Sequence, residues 1–336
     1  MLKKAGKSTY ILENTPSITG YYSTVGSKEG KGPLGSCFDT VEDDSHFGME
    51  TWEQAESEML RRTVEGAIKS SGLDKSAVSC IFSGDLINQC LCTNYGLRDI
   101  KIPFLGIYGA CSTMAEGLLL ASVFCESSNE NFAAATCSHF STAERQFRLP
   151  LSYGGQRTPS AQWTCTASGA AVISPKGAPP YISSVTIGEI TDLGIKDASN
   201  MGAAMAPAAA MTIKSYLEST NSSPDQFDVI VTGDLGLVGS KLLYELLEKD
   251  GIDITRNHKD CGSMIFDIEK QDVHAGGSGC GCSASVLCAY FLPRVKSGEI
   301  KDMLFIATGA LMSPAASQQG ETIPAIAHLI RISNNV

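Results

Sequence analysis

No stretch of the sequence is apolar for long enough to cross a bilayer. A spanning helix needs about 18–20 apolar residues, and the best candidate, Gly117–Cys125, falls far short. The opening segment MLKKAGKSTYILENTPS lacks the apolar core of a secretion signal. A soluble chain in a reducing compartment is therefore expected. Basic residues are also scarce: 26 Lys and Arg stand against 36 Asp and Glu, for a net charge of −10. That balance argues against non-specific nucleic-acid binding, which depends on neutralising phosphates, and no nucleic-acid partner is expected. Charged residues make up only 18% of the 336, and apolar residues 43%. Such a composition excludes a disordered chain and allows a large core.

Cysteine is not scarce, but metal-binding spacing is. The 12 cysteines fall largely in apolar segments, as Cys80, Cys125, Cys137, Cys165 and Cys288 do, where the thiol behaves as a small hydrophobe. The pairs Cys90/Cys92 and Cys280/Cys282 lack the spacing of a zinc ribbon. Glu42, Asp43, Asp44 and His46 read as a solvated loop. Gly276-Gly277-Ser278-Gly279 matches neither glycine fingerprint of a nucleotide site, and its glycines suit close backbone approach instead. No metal and no cofactor are expected.

The chain contains itself twice. SGLDKSAVSCIFSGDL at 71–86 and STNSSPDQFDVIVTGDL at 219–235 each pass from a helix end through a polar turn and an apolar strand to Gly-Asp-Leu. Each copy then enters a helix, GACSTMAEGLLLASVF in one and GGSGCGCSASVLCAYFLPRV in the other. A buried strand follows (FAAATCSHF, MLFIATGAL), then a closing strand (SGAAVIS, AIAHLIRIS). The order predicts an α/β protein of two pseudo-symmetric halves, 1–175 and 181–336, joined by a linker at 176–180 within PKGAPP.

Ligands of open α/β sheets sit beyond the carboxyl ends of the strands. This rule selects Asp85 and Asn88 after the first repeat strand, Cys111 at a helix start, and the segment SHFSTAERQFRLPLSYGGQ from 138 to 156. In the second half it selects Asp234 and the loop containing Gly277. A thiol at a helix N-terminus sits in a field that lowers its pKa, so Cys111 is the leading candidate. Arg145 and Arg148 offer planar forks for carboxylates, and His139 stands at a strand end. His258, His274 and His328 read as structural.

The stretches PFLGIYGACST (103–113), GPLG (32–35), SGDLINQ (83–89), TAERQFR (142–148), YGGQ (153–156), MGAAMAPAAA (201–210), AGGSGCGCSA (275–284) and ATGALMSP (307–314) carry a resemblance over essentially the whole chain. The sequence resembles the thiolase and ketoacyl-synthase superfamily, and within it the stage V sporulation protein AD family of spore-forming Firmicutes. The resemblance implies a five-layered α-β-α-β-α sandwich with Cys111 at the start of a central helix. It implies a role in sporulation beside membrane proteins of the same operon, a peripheral location at the spore inner membrane, and dipicolinic acid (pyridine-2,6-dicarboxylate) as ligand. A homodimer is implied by analogy.

The superfamily's second-half catalytic His and Asn are replaced here, by TGDLGLVG with Asp234 and by AGGSG. An acid at that place opposes a developing oxyanion. The departures point to a non-catalytic binding protein whose ligand set draws on Asp85, Asn88, Cys111, His139, Arg145, Arg148, Asp234 and Gly277. The competing expectation is an acyltransferase with Cys111 as nucleophile and His139 or His274 as base. A third is a structural subunit with a vestigial pocket.

Overall fold

A computed structural model describes residues 2–147 and 156–335. Its first half is built from β1 (Ser17–Gly26), α1 (Trp52–Ser71), β2 (Val78–Gly84), β3 (Phe104–Gly106), α2 (Thr113–Ser128), β4 (Asn131–Ser138), α3 (Phe140–Phe147) and β5 (Ala167–Ser174). The second continues with β6 (Tyr181–Thr186), α4 (Met201–Thr220), β7 (Val229–Thr232), α5 (Gly236–Glu248), β8 (His258–Asp260), α6 (Cys280–Val286), β9 (Asp302–Ala310) and β10 (Ala325–Ser333). These strands follow one path, β8-β7-β9-β10-β6-β1-β5-β4-β2-β3. Read outward from the β6/β1 junction, the two arms have the same order. In each arm the repeat strand, β2 or β7, is parallel to both neighbours, and the remaining pairings are antiparallel.

The apolar pattern explains the layering. Neighbouring residues on a strand face opposite sides, and here both sides are covered. On β2, Ile81 packs outward beneath α1 with Met59, Leu60 and Val64, and Phe82 turns inward. On β7 and β9, Ile230 and Leu304 pack outward beneath α4 with Met205 and Ile213, whereas Val231 and Phe305 turn inward. The inward residues meet Met114 and Leu118 of α2 and Val286 of α6 in a shared inner layer. Helix, sheet, paired helices, sheet, helix: the five-layered sandwich is present.

Local signals set the outer helices. Thr51 and Gln54 form a reciprocal capping box at the start of α1, and Gly72 ends it with φ +75°. The Asn200 side chain caps α4, and Asn221 closes it in the left-handed region. Among the described residues, no helix is long and apolar enough to cross a membrane. All twelve cysteines are free thiols and ten are buried.

Close approach in the inner layer depends on missing side chains. A Cβ on Gly281 would lie 2.0 Å from the Ala167 carbonyl oxygen of β5, and one on Gly309 would lie 1.9 Å from the carbonyl oxygen of Gly109. The first contact seats α6 on the first-half sheet; the second presses β9 against the segment leading to Cys111. Gly281→Ala is expected to cost about 1–3 kcal/mol of stability, read as a fall in the urea midpoint. An unchanged midpoint would refute the proposed seating.

Candidate functional site

The backbone leaving β3 turns sharply before α2 begins. Residues 110–112 form one 3₁₀ turn, with Ala110 at φ +48°, a conformation that costs a non-glycine residue about 1–2 kcal/mol. Side chains lock this turn. Ser112 Oγ donates to the Gly109 carbonyl at 2.7 Å, Thr113 Oγ1 donates to the Ala110 carbonyl at 2.6 Å, and the Gly109 N–H donates to Thr113 Oγ1 at 3.3 Å. Cys111 is thereby presented at the base of a cleft of about 40 Å³. By the ~10–15 Å³ needed for one water, that is room for a few waters.

The opposite wall comes from the second half. Asp234 stands beyond the end of β7, fully buried. Its Oδ2 accepts from Ser278 Oγ and from the Gly279 N–H, each at 2.9 Å, and its Oδ1 accepts from Thr308 Oγ1 at 3.4 Å. The Cys111 sulfur lies 4.0 Å from Ser278 Oγ, the hydroxyl that donates to this carboxylate. Burial drives the Asp234 carboxyl up to about 7, against the pull of these donors.

The thiol responds to its surroundings opposite to the helix-terminus expectation. Burial first, and then the Asp234 charge, push Cys111 well above the ordinary thiol value. The helix field is outweighed because the sulfur is dry and its nearest charge is negative. Among the described residues, no cation lines the cleft; the other walls include Leu86, Tyr108, Phe147, Thr164, Met201 and Met312.

Of the residues selected from sequence, Cys111 and Asp234 are brought together, with Gly277 beside them. The Gly277 carbonyl and the Asp234 carbonyl both accept from Gln162 Nε2 at 2.8 Å. The other candidates go elsewhere. Asp85 turns back on its own half, accepting from the Ile87 N–H and from the Thr93 N–H and hydroxyl. Asn88 is exchanged with Gln146 on α3. His139 is buried, with Nε2 on the Ser45 carbonyl and Nδ1 accepting from the Ser141 N–H, so it is held as a structural group with its pKa lowered by burial. Arg145 does not line the cleft: it is ion-paired with Glu53 of α1. Arg148 lies outside the described residues. His46, read as part of a solvated loop, stacks on Trp52 at 3.7 Å. His258 is a buried strand residue bonded to Thr232 and Tyr244 and lowered to about 4.

Three residues of the site are missing from the sequence reading. Ser278 was hidden in a run that reads as a glycine hinge. Gln162 carries no local signal, because its two acceptors lie 72 and 115 residues away. Asp260 had one: an Asp three residues before Ser263 is a helix-cap pattern. Its carboxylate accepts from the N–H groups of Leu235, Gly236 and Ser263 and from Thr232 Oγ1, which fixes the turn that follows Asp234.

Comparison with known proteins places this geometry. Residues 6–333 match the family described as stage V sporulation protein AD. The chain is 43% identical over 328 residues to the stage V sporulation protein AD of Bacillus subtilis strain 168, covering 97% of each. Among solved structures it is similar to 3-oxoacyl-[acyl-carrier-protein] synthase III of Aquifex aeolicus, with a TM-score of 0.54 at 13% identity, covering 94% of this chain and 99% of that one. It is also similar to cerulenin-bound OleA of Xanthomonas campestris, with a TM-score of 0.58 at 12% identity and 98% of both chains covered. At such identities the two structures establish the thiolase-like fold alone.

A dry thiol without a neighbouring cation reacts slowly. Brief iodoacetamide treatment near neutral pH is expected to label the half-buried Cys37 and Cys80 ahead of Cys111, as mapped by peptide mass. Cys111 labelling faster than both would show that its thiolate is accessible and stabilised.

Proposed function

Because the chain belongs to the stage V sporulation protein AD family, we propose that it is a non-catalytic binding protein that takes dipicolinic acid, alone or as its calcium chelate, for uptake during sporulation. In this reading it works beside membrane partners at the spore inner membrane. The observation that carries the non-catalytic part is the pairing of Cys111 with Asp234. A condensing enzyme needs a thiolate and neutral or cationic groups around the oxyanion. Here a buried thiol is raised well above its usual pKa beside an acid.

The same groups suit an acceptor-rich ligand. Below a pH of about 7, Asp234 is largely protonated and becomes a donor. It stands behind a cleft whose lining includes Cys111, Ser278, Thr164 and Tyr108, thiol and hydroxyl groups of the kind that bond carboxylate oxygens. Leu86, Phe147, Met201 and Met312 supply apolar walls for a flat ring. The cleft as it stands is too small for the ring, so entry requires the two flexible methionine side chains to swing aside. Arg148 is assigned to the second carboxylate on its sequence position.

Protonation sets the direction of the pH dependence. An ionised Asp234 repels a dianion, so binding takes up a proton and weakens as pH rises through about 7. Calorimetry with dipicolinate is expected to give a dissociation constant near micromolar, about 8 kcal/mol, at pH 6, and about tenfold weaker binding at pH 8. Asp234→Asn should flatten that dependence, and Arg148→Ala should weaken binding without unfolding the chain. Absence of heat at millimolar ligand would end this reading. A covalent acyl adduct on Cys111 after exposure to an acyl thioester would put an acyltransferase in its place.

The reading extends to assembly as a homodimer. β3 ends the sheet path, and its free edge carries Leu105 at 51% exposure, with Tyr108 and Phe124 also exposed nearby in sequence or on α2. Such an edge invites pairing with a second copy. Light scattering is expected to give twice the chain mass, and Leu105→Lys to return the monomer; a monomeric parent protein would refute it.

A further inference from the structure

Beneath α1 lies a second acid centre. Glu56 of α1 and Asp85 beyond β2 are both fully buried. Their carboxyl oxygens and the Cys92 sulfur all lie within 4.8 Å of one another. Among the described residues, no Lys, Arg or His stands among the groups that shift either carboxyl. Two like charges so close and so dry do not persist together, so the pair retains a proton.

Hydrogen bonding decides which acid holds it. Asp85 accepts from the Ile87 N–H at 2.7 Å and from the Thr93 N–H and hydroxyl at 2.7 and 2.6 Å, three donors that favour a carboxylate. Glu56 Oε1 accepts from the Cys137 thiol at 3.5 Å. Its Oε2 stands 2.5 Å from the Thr142 hydroxyl, which also lies 2.9 Å from the His139 carbonyl oxygen. A hydroxyl has one proton to give and a carbonyl has none. The chain is complete when Thr142 donates to His139 and a protonated Glu56 donates to Thr142. In agreement, burial first and the Asp85 charge second raise Glu56 to about 8. The other titratable groups around it do not compete for the proton. Cys92, Cys137 and Cys280 are raised by burial and stay neutral. His139 at the head of α3 is lowered by burial, and Glu53, one turn back on α1, is held by Arg145.

We propose that Glu56 is a one-proton latch for α3: its protonated carboxyl, kept so by Asp85, fastens the helix through Thr142, and loss of the proton to water loosens it. Once ionised, Glu56 faces the Asp85 carboxylate with no cation to offset the pair, and the seat of α1 and α3 on the β2 corner weakens. α3 supplies Ala143 and Phe147 to the Cys111 cleft. The latch therefore sets one wall of that cleft, whichever molecule occupies it.

The test reads hydrogen exchange of peptides spanning 140–147 in the full chain by mass spectrometry. Parent and Glu56→Gln are compared at the same pH, so intrinsic exchange cancels. Gln keeps a donor toward Thr142 and cannot ionise. Equal exchange is expected at pH 6, and about tenfold faster exchange in the parent at pH 9, above the Glu56 value. Thr142→Val should speed α3 exchange at pH 6, and Thr142→Ser should restore it. Urea unfolding gives a second readout. The folded chain holds the extra proton between about 4.5 and 8, so stability is greatest below that window and falls as pH rises through it. Asp234 and Glu29, also raised by burial, add slopes of the same sign to both proteins, so the difference isolates Glu56. The unfolding constant of Glu56→Gln should rise less steeply, by nearly tenfold per pH unit in mid-window. An unchanged slope, or α3 exchange at pH 9 indifferent to Glu56→Gln, would overturn the proposal. So would one metal ion per chain whose removal by a chelator speeds α3 exchange, since a cation would then hold the pair.

Discussion

A carboxylate buried without a cation organises the centre of this protein. Asp234 gathers the Ser278 hydroxyl, the Gly279 N–H and the Thr308 hydroxyl, so the glycine loop, β9 and the end of β7 are tied to one group. Three donors offset part of its desolvation, and its raised pKa shows that the offset is incomplete. The same charge suppresses the Cys111 thiolate. One side chain thus ties together the second-half elements behind the cleft and sets the chemistry of the thiol opposite.

The equivalent aspartate of the first half makes a different use of the same geometry. Asp85 also follows its repeat strand, yet it is spent on the Ile87 and Thr93 N–H groups and faces the outer layer. It adjoins Glu56, which burial first and Asp85 second raise to about 8. Duplication produced two Gly-Asp-Leu corners. The second lies behind the cleft into which the first half brings the Cys111 thiol.

The layered fold was legible because its signals are local and repeated. Alternating apolar residues on β2 and β7, the capping box at Thr51 and the paired Gly-Asp-Leu corners all survive in a linear reading. The site was legible only in part. Cys111 and Asp234 could be found as strand-end residues, but the sign of the thiol shift depends on dryness, which no spacing reveals. Arg145 looked like a carboxylate clamp because Glu53, its actual partner, stands 92 residues earlier. Gln162 was silent for the same reason. Long-range satisfaction of polar groups is what a linear reading does not contain.

The contact between Gly309 and the carbonyl of Gly109 has a bearing on how the chain is born. Synthesis runs from the N-terminus, and early-made segments fold while later ones are still absent. The turn holding Cys111 therefore waits for its buttress, and the sulfur for Ser278, Gly279 and Met312, until most of the second half has left the ribosome. During that interval the thiol is open to water and oxidants. Its chemical quiet is acquired last, at the moment the two halves close.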